Sequence, residues 1–161
     1  MHSEAFAYVV QHAPRPPGDV LDVGGRDING TLRHELGDAT SWTVVDLVEA
    51  PDVDVVGDIC ALGLAGVADL VLCLEVLEHA RQWRAVIRAC VAACRPGGTV
   101  LITCAGPGRS PHSADDGGPL RTGEWYRNIS TDELFDVMTD FGLEVFTDEL
   151  GPDSRAYGRK P

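Results

Sequence analysis

The sequence predicts an α/β fold: a mostly parallel sheet with one antiparallel strand and helices on both faces. Short apolar runs alternate along the chain with segments of helical periodicity, which is typical of strands joined by crossover helices. The last two apolar runs, 143–147 and 155–158, follow one another with the Gly-Pro-Asp sequence of 151–153 between them, which predicts a closing hairpin. Acidic residues stand at the ends of successive runs, where open α/β sheets bind ligands.

Seven segments have the length and the apolar or β-branched content of buried strands. They are residues 20–23, 42–46, 53–56, 69–74, 99–104, 143–147 and 155–158. The sequence Arg-Pro-Gly-Gly at 95–98 predicts a break and a turn just before the fifth strand.

Four segments predict helices. Residues 3–12 precede a proline-rich stretch that a helix cannot enter, and residues 31–36 are closed by Gly37. Residues 78–95 carry an apolar stripe on one face. The last predicted helix begins at the capping box of residues 130–133 and ends at Gly142.

Composition narrows the classes of partner. The 161 residues predict a single domain over 1–161. The chain holds 25 acidic residues against 13 Lys and Arg, a net charge of -12, which disfavours nucleic acid and anionic membranes as partners. The first residues lack the basic and apolar parts of a signal peptide, and the five cysteines form no CxxC pair. We therefore expect a cytoplasmic protein with reduced thiols.

Acids at three strand ends predict a ligand site. Asp22 lies near the end of the first predicted strand, and the two glycines that follow Val23 allow close approach of the backbone to a ligand. Asp46 ends the second strand, 24 residues later, where an acid can accept both hydroxyls of a ribose. Asp58 follows the third strand and could accept a hydrogen bond from an exocyclic amine.

These motifs resemble those of the class I S-adenosylmethionine-dependent methyltransferases, in particular small, type-11-like members. The resemblance covers the VLDVGG sequence of 20–25, the Asp58-Ile59 pair, the DLVLCLEVLEH sequence of 69–79 and the RPGG turn. It implies a Rossmann-like, seven-stranded sheet and S-adenosyl-L-methionine as cofactor. The cofactor-binding residues that it implies are Asp22, Gly24, Gly25, Arg26, Asp27, Gly30, Asp46, Leu47, Asp58, Ile59 and Leu74.

The first motif departs from the family pattern. Arg26 and Ile28 stand where the family has its second and third glycines, and Gly30 comes later. The loop is therefore expected to bend differently around the methionine part of the cofactor. The same departure disfavours a nicotinamide enzyme, because the dinucleotide fingerprint needs a glycine that lets the pyrophosphate approach.

The predicted catalytic residues are Glu75, His79 and His112. Glu75, Glu78 and His79 fall near one helical turn at the end of the fourth strand, next to where a transferred methyl group would lie. In some methyltransferases with a similar segment these three residues bind a divalent metal; here we expect no metal. His112 lies in the long polar stretch 105–128, which is predicted to be a substrate loop in which a histidine could act as base.

The predicted function is O- or N-methylation of a small or extended acceptor, such as a metabolite or glycan, and not of nucleic acid. The chain has no large insertion, so the pocket is expected to be open or completed by a homodimer or a partner subunit. One alternative is a non-catalytic partner subunit that binds the cofactor. A weaker alternative is a nicotinamide oxidoreductase.

Overall fold

A computed structural model describes residues 3–28 and 30–161; Met1, His2 and Asn29, which belong to the amino terminus and the first-motif loop discussed above, lie outside the described residues. Seven strands form one sheet in the order β3-β2-β1-β4-β5-β7-β6. Their bounds are Asp19–Val23 (β1), Ser41–Asp46 (β2), Val55–Val56 (β3), Ala68–Leu74 (β4), Cys94–Ala105 (β5), Glu144–Leu150 (β6) and Asp153–Arg159 (β7).

The predicted fold class is confirmed. Strands β1 to β5 pair in parallel, and β7 runs antiparallel to both of its neighbours, β5 and β6. The hairpin between β6 and β7 turns at Gly151, whose φ of 60° favours glycine. Strands β2 and β3 extend the sheet on one side of β1, and β4 and β5 extend it on the other. Ligands bind in such folds at this switch in strand order, between β1 and β4.

Helices cover both faces of the sheet, as predicted. Helix α1 (Ser3–His12) packs on one face, where Tyr8 and Val9 join a buried cluster with leucines of β4 and β5. Helices α2 (Trp83–Ala93) and α3 (Thr131–Asp140) pack on the other face. The Ser130–Glu133 capping box predicted for α3 is present in full. Among the described residues, no helix has the length and apolar character to cross a bilayer.

The prediction of a helix at 31–36 is wrong. Residues 32–38 form turns instead, with a single helical hydrogen bond from Leu36 N to Leu32 O, at 3.0 Å. Both leucines are fully buried, so their spacing reflects core packing. A segment this short between Gly30 and Gly37 cannot offset the cost of nucleating a helix.

The predicted helix at 78–95 is divided. A 3₁₀ turn, Leu77–His79, is separated from α2 because Ala80 takes an extended conformation. This break directs Glu78 into the core. The predicted third strand is also shorter than expected, because only Val55 and Val56 pair with β2.

The segment at 95–98, predicted as a break, lies inside β5 as an irregularity in its pairing with β4. The Arg95 Nη1 atom lies 2.8 Å from Asp19 Oδ2 and 2.8 Å from Asp69 Oδ2. The Asp19 amide donates to the same Asp69 oxygen, at 2.9 Å. This Arg95 clamp joins the beginnings of β1, β4 and β5, at the edge of the sheet opposite the strand ends described below.

The loop at 105–128 is organised by its own hydrogen bonds. The buried Ser113 hydroxyl donates to Glu124 Oε1 at 2.7 Å, and Glu124 Oε2 accepts the Arg121 amide at 2.6 Å. Arg121 also forms ion pairs with Asp115 and Asp116. The loop is thus a folded structure on the carboxyl side of the sheet.

Candidate active site

A cavity of about 1130 Å³ opens at the carboxyl ends of β1, β2 and β4. This volume exceeds the roughly 300–1,000 Å³ of a pocket for one drug-sized ligand, so two molecules can meet inside it. Asp22, Asp46 and Asp58 lie on its wall, as do His79 and His112. We call the part lined by the three aspartates the donor end and the part lined by the two histidines the acceptor end.

The structure brings ten of the eleven predicted cofactor residues to the wall of this cavity. The exception is Asp27, which is exposed and organises the loop instead. Its Oδ1 atom accepts the Gly30 amide at 2.7 Å, and its own amide donates to Asp52 Oδ2 at 2.5 Å. These two hydrogen bonds, with the Gly30 amide and with the Asp52 carboxylate, stabilise Asp27 in a position outside the cavity wall. The cofactor contacts of the other ten residues stay predictions.

Asp22 is a buried acid with a free binding position. The residue is 3% exposed, and its Oδ1 atom forms no hydrogen bond of normal length with the described residues, although the Trp42 indole lies near enough to lower the pKa of the carboxyl group. Burial raises the pKa of Asp22 from 3.8 to about 7, and the charge of Arg33 opposes that rise. A Cβ atom on Gly25 would collide with the Asp22 carboxyl group, and one on Gly24 would collide with Val76. The glycines thus make room for the Asp22 carboxyl group and for Val76, and the unpartnered Oδ1 atom of Asp22 at the cavity wall suits a cationic amine.

Asp46 and Asp58 begin turns at their strand ends. Asp46 Oδ1 accepts the Val48 amide at 2.9 Å, and Asp58 Oδ1 accepts the Cys60 amide at 2.9 Å. These bonds fix each carboxylate against the wall of the cavity. The Nε atom of Arg26 lies 4.0 Å from Asp46 Oδ1.

Glu75 lies at the end of β4 with a φ of 60°, an uncommon backbone conformation that is often found at functional sites. Its two carboxylate oxygens accept hydrogen bonds from Thr103 Oγ1 at 2.8 Å and from Arg109 Nη1 at 2.7 Å. Arg109 also pairs with Asp153 at 2.5 Å. Glu75 was predicted to be catalytic. In the structure, Glu75 and Arg109 join β4 to the loop and to β7, which favours a positioning role for Glu75.

Three rings form a cluster at the acceptor end. The ring centroids of His79 and His112 lie 5.1 Å apart, and Tyr126 lies 5.5 Å and 5.0 Å from them. His112 Nδ1 lies 3.2 Å from the Ser110 carbonyl oxygen. Because a carbonyl oxygen only accepts, this contact places the proton on Nδ1 and leaves the Nε2 lone pair of His112 free. Burial and then the neighbouring His112 lower the pKa of His79 to about 4, so His79 is neutral at pH 7.

Glu78 was absent from the predicted catalytic and cofactor residues, yet it lies beneath the two histidines. It is fully buried; its Oε1 accepts the Ala105 amide at 3.3 Å, while its Oε2 has no partner among the described residues. Burial and then the charge of Glu75 raise the pKa of Glu78 to about 8. Ligand atoms of Glu78, His79 and His112 lie within 4.8 Å of one another, which is a geometry that can hold a metal ion. Glu75, part of the set weighed from the sequence, is not in this group.

Two aromatic residues, Trp125 and Tyr126, lie near the end of the 105–128 loop. Trp125 lines the cavity, and the Arg81 guanidinium lies 5.0 Å from the centroid of its ring. Tyr126 donates to the Ser110 carbonyl oxygen at 3.3 Å. Arg81 was not predicted as a site residue, because it follows the 3₁₀ turn whose break at Ala80 was not predicted.

Comparison with known proteins places the chain among methyltransferases. Residues 2–147 match the family model described as a methyltransferase domain. The ubiquinone biosynthesis O-methyltransferase of Marinobacter nauticus is 37% identical over 91 residues, which cover 50% of this chain and 37% of that protein. The matched part is therefore less than half of that relative's length.

Solved structures share the fold along nearly the whole chain. The 1,6-didemethyltoxoflavin-N1-methyltransferase of Burkholderia thailandensis, solved with S-adenosylhomocysteine, aligns with a TM-score of 0.73 at 19% identity and covers 98% of this chain and 77% of that one. An S-adenosylmethionine-dependent methyltransferase from Mesorhizobium loti aligns with a TM-score of 0.72 at 16% identity, over 97% of this chain and 98% of its own.

Proposed function

This chain belongs to the class I S-adenosylmethionine-dependent methyltransferases, and we propose that it methylates a hydroxyl group of a small, planar acceptor. The observation that carries the proposal is the division of one cavity into two chemically different ends. Three aspartates line one end, and two imidazoles beside aromatic rings line the other. The named relatives in ubiquinone biosynthesis are O-methyltransferases, which supports oxygen as the methylated atom.

We expect the three aspartates at the donor end to bind three groups of S-adenosylmethionine. Asp46 would accept hydrogen bonds from the ribose hydroxyls, and Asp58 would accept one from the adenine amine. The unpartnered Oδ1 atom of Asp22 would accept a hydrogen bond from the ammonium group. When bound there, S-adenosylmethionine supplies an electrophilic methyl group, and the protein contributes to the rate by holding acceptor and donor in line.

The acceptor end supplies a base. His112 keeps its Nδ1 proton on the Ser110 carbonyl, so Nε2 can take the proton of a hydroxyl as that oxygen attacks. His112 is half-exposed, and the proton can then pass to solvent. The neutral His79 ring beside it adds no repelling charge.

The shape of the acceptor end favours a planar molecule. Trp125 provides a flat apolar wall, and Pro111 and Pro119 also line this part of the cavity. Flat rings stack on such surfaces and bury much area with little loss of freedom. Phenolic and catechol-like acceptors therefore fit better than extended polymers. The loop at 105–128 contributes His112 and Pro111, which supports its assignment as the substrate loop.

A test measures binding first and turnover second. Calorimetry with S-adenosylhomocysteine should give a dissociation constant in the micromolar range or below. Methyl transfer is then followed by mass spectrometry against a panel of phenols, with matched anilines and thiols as controls. Methylated phenols support the proposal; anilines as the better acceptors would reassign the reaction to nitrogen. Tight binding of S-adenosylhomocysteine with no turnover on the panel, or on a host metabolite extract, would favour the non-catalytic partner subunit.

A further inference from the structure

Arg26 occupies a position in the first-motif loop where the family pattern has a glycine. Its side chain does not leave the cavity, since Arg26 lines the wall beside Asp22 and Asp46. The Arg26 side chain is only 23% exposed, and the Asp46 side chain only 13%. A long cation therefore lies inside the donor end, in space that a glycine would leave empty.

The contact that Arg26 makes there is incomplete. Its Nε atom is buried and has no hydrogen-bond partner among the described residues. The distance of 4.0 Å from Nε to Asp46 Oδ1 is too long for a hydrogen bond. Burying a donor without a partner is costly, so this guanidinium has a binding capacity that Asp46 does not fill.

The proposed ligand carries a carboxylate, to which the aspartates cannot donate a hydrogen bond. The donor carries a ribose, an adenine, an ammonium and a carboxylate, and the three acids at the donor end suit the first three only. Two other arginines line the cavity. Arg109 is engaged by Glu75 and Asp153, and Arg81 lies against Trp125 at the acceptor end.

We infer that Arg26 binds the α-carboxylate of the methyl donor, an inference that rests on the proposed function. Asp22 would hold the ammonium on one side of the α-carbon and Arg26 the carboxylate on the other. A guanidinium can present two parallel N–H groups to a carboxylate, a geometry that is stronger than a single hydrogen bond. Asp46 then serves the ribose alone. The glycine-to-arginine departure replaces backbone contacts in this loop with a side-chain contact.

The experiment compares two ligands that differ only in the carboxylate: S-adenosylhomocysteine and its decarboxylated amine. In Arg26→Ala, calorimetry should show S-adenosylhomocysteine binding about 10- to 100-fold more weakly, while the affinity of the decarboxylated ligand changes less than about threefold. Arg26→Lys keeps the positive charge but lacks the two parallel N–H groups of a guanidinium. Its affinity for S-adenosylhomocysteine should lie between those of wild type and Arg26→Ala. Arg88→Ala removes the same charge from the exposed face of α2 and is the matched control.

Each other outcome overturns the inference. Tighter binding of both ligands by Arg26→Ala would show that Arg26 blocks access of the ligand to Asp46. Equal weakening of both would show that Arg26 only stabilises the conformation of the loop. A carboxylate-selective loss in Arg81→Ala, and not in Arg26→Ala, would place the carboxylate at the acceptor end. Thermal unfolding of each variant separates these results from loss of fold. If the wild-type protein binds neither ligand, the proposed function itself fails.

Discussion

The Asp22 carboxyl group occupies the space into which a side chain at Gly25 would project. Asp22 is the penultimate residue of β1 and Gly25 is the second residue after the strand, so this turn accommodates the Asp22 carboxyl group only when position 25 has no Cβ. The observed orientation of the Asp22 carboxyl group therefore requires a glycine at position 25.

Gly25→Ala should therefore displace Asp22. We expect S-adenosylhomocysteine to bind at least tenfold more weakly and the free energy of unfolding to fall by about 1–3 kcal/mol, the usual cost of overpacking. Calorimetry and urea unfolding measure the two effects. Gly37→Ala, where a Cβ would lie 3.3 Å from the His34 carbonyl oxygen outside the cavity, is the matched control. Unchanged binding by Gly25→Ala would show that Asp22 does not contact the ligand.

Binding should strengthen as the pH rises through about 7. Burial holds the pKa of Asp22 at about 7, so the acid is neutral below that pH and cannot pair with an ammonium group. The affinity for S-adenosylhomocysteine should rise up to tenfold per pH unit below pH 7 and level off above it. Asp22→Asn should abolish this slope, and 5′-methylthioadenosine, which lacks the ammonium, should bind without it. A wild-type affinity that is flat between pH 5.5 and 8.5 would argue against the Asp22–ammonium contact.

Stability should change with pH in the opposite direction. The pKa of Asp22 is higher in the folded than in the unfolded protein, so the unfolded chain loses its proton first as the pH rises above about 4. The contribution of Asp22 to the free energy of unfolding should therefore fall between pH 4 and pH 7, by at most a few kcal/mol. Urea unfolding of wild type and Asp22→Asn at pH 4, 5.5 and 7.5 isolates this contribution. The two proteins should converge at pH 4, with Asn relatively more stable at pH 7.5; a constant difference would contradict the shift.

His112→Ala should lower kcat by about 10²-fold or more and leave the affinity for S-adenosylhomocysteine nearly unchanged. The reason is that His112 Nε2 is free to accept a proton at the acceptor end, away from the three aspartates. Single-turnover kinetics with a phenolic acceptor provide the measurement. His34→Ala, an exposed histidine outside the cavity, is the control. A His112→Ala enzyme of wild-type rate, together with an inactive His79→Ala enzyme, would transfer the role of base to His79.

Turnover should not require a divalent metal, since one imidazole suffices to take the proton. Activity should survive dialysis against a chelator. Loss of activity that Mg²⁺ or Zn²⁺ restores would reverse this expectation and assign Glu78, His79 and His112 as ligands. In that case His112→Ala should also weaken metal binding measured by calorimetry.

The sequence was informative where function depends on strand ends. Asp22, Asp46 and Asp58 could be placed in one site because parallel strands bring their carboxyl ends to one edge. Glu78 and Arg109 could not be placed in the same way. The burial of Glu78 follows from a break at Ala80 that periodicity does not reveal. The ion pair of Arg109 with Asp153, 44 residues away, depends on the docking of β7 against β5.

Local structure explains why Asp27 lies outside the cavity wall and why residues 31–36 form no helix. Asp27 had the residue type and position of a ligand contact, but the amide of Gly30 is a nearer partner. Residues 31–36 had helical spacing, yet two glycines left too few residues for a helix to propagate. A local hydrogen bond in the first case and the short length of the segment in the second outweighed the sequence pattern.

The Arg95 clamp has a consequence for how this protein can change. Because Arg95, Asp19 and Asp69 join three strands at the edge farthest from the cavity, these ion pairs and the residues that line the cavity lie at opposite ends of the same strands. A laboratory selection for growth at higher temperature could act at the clamp without altering which molecules are methylated. A selection for new acceptors could alter the opposite edge while the clamp keeps the strands in register.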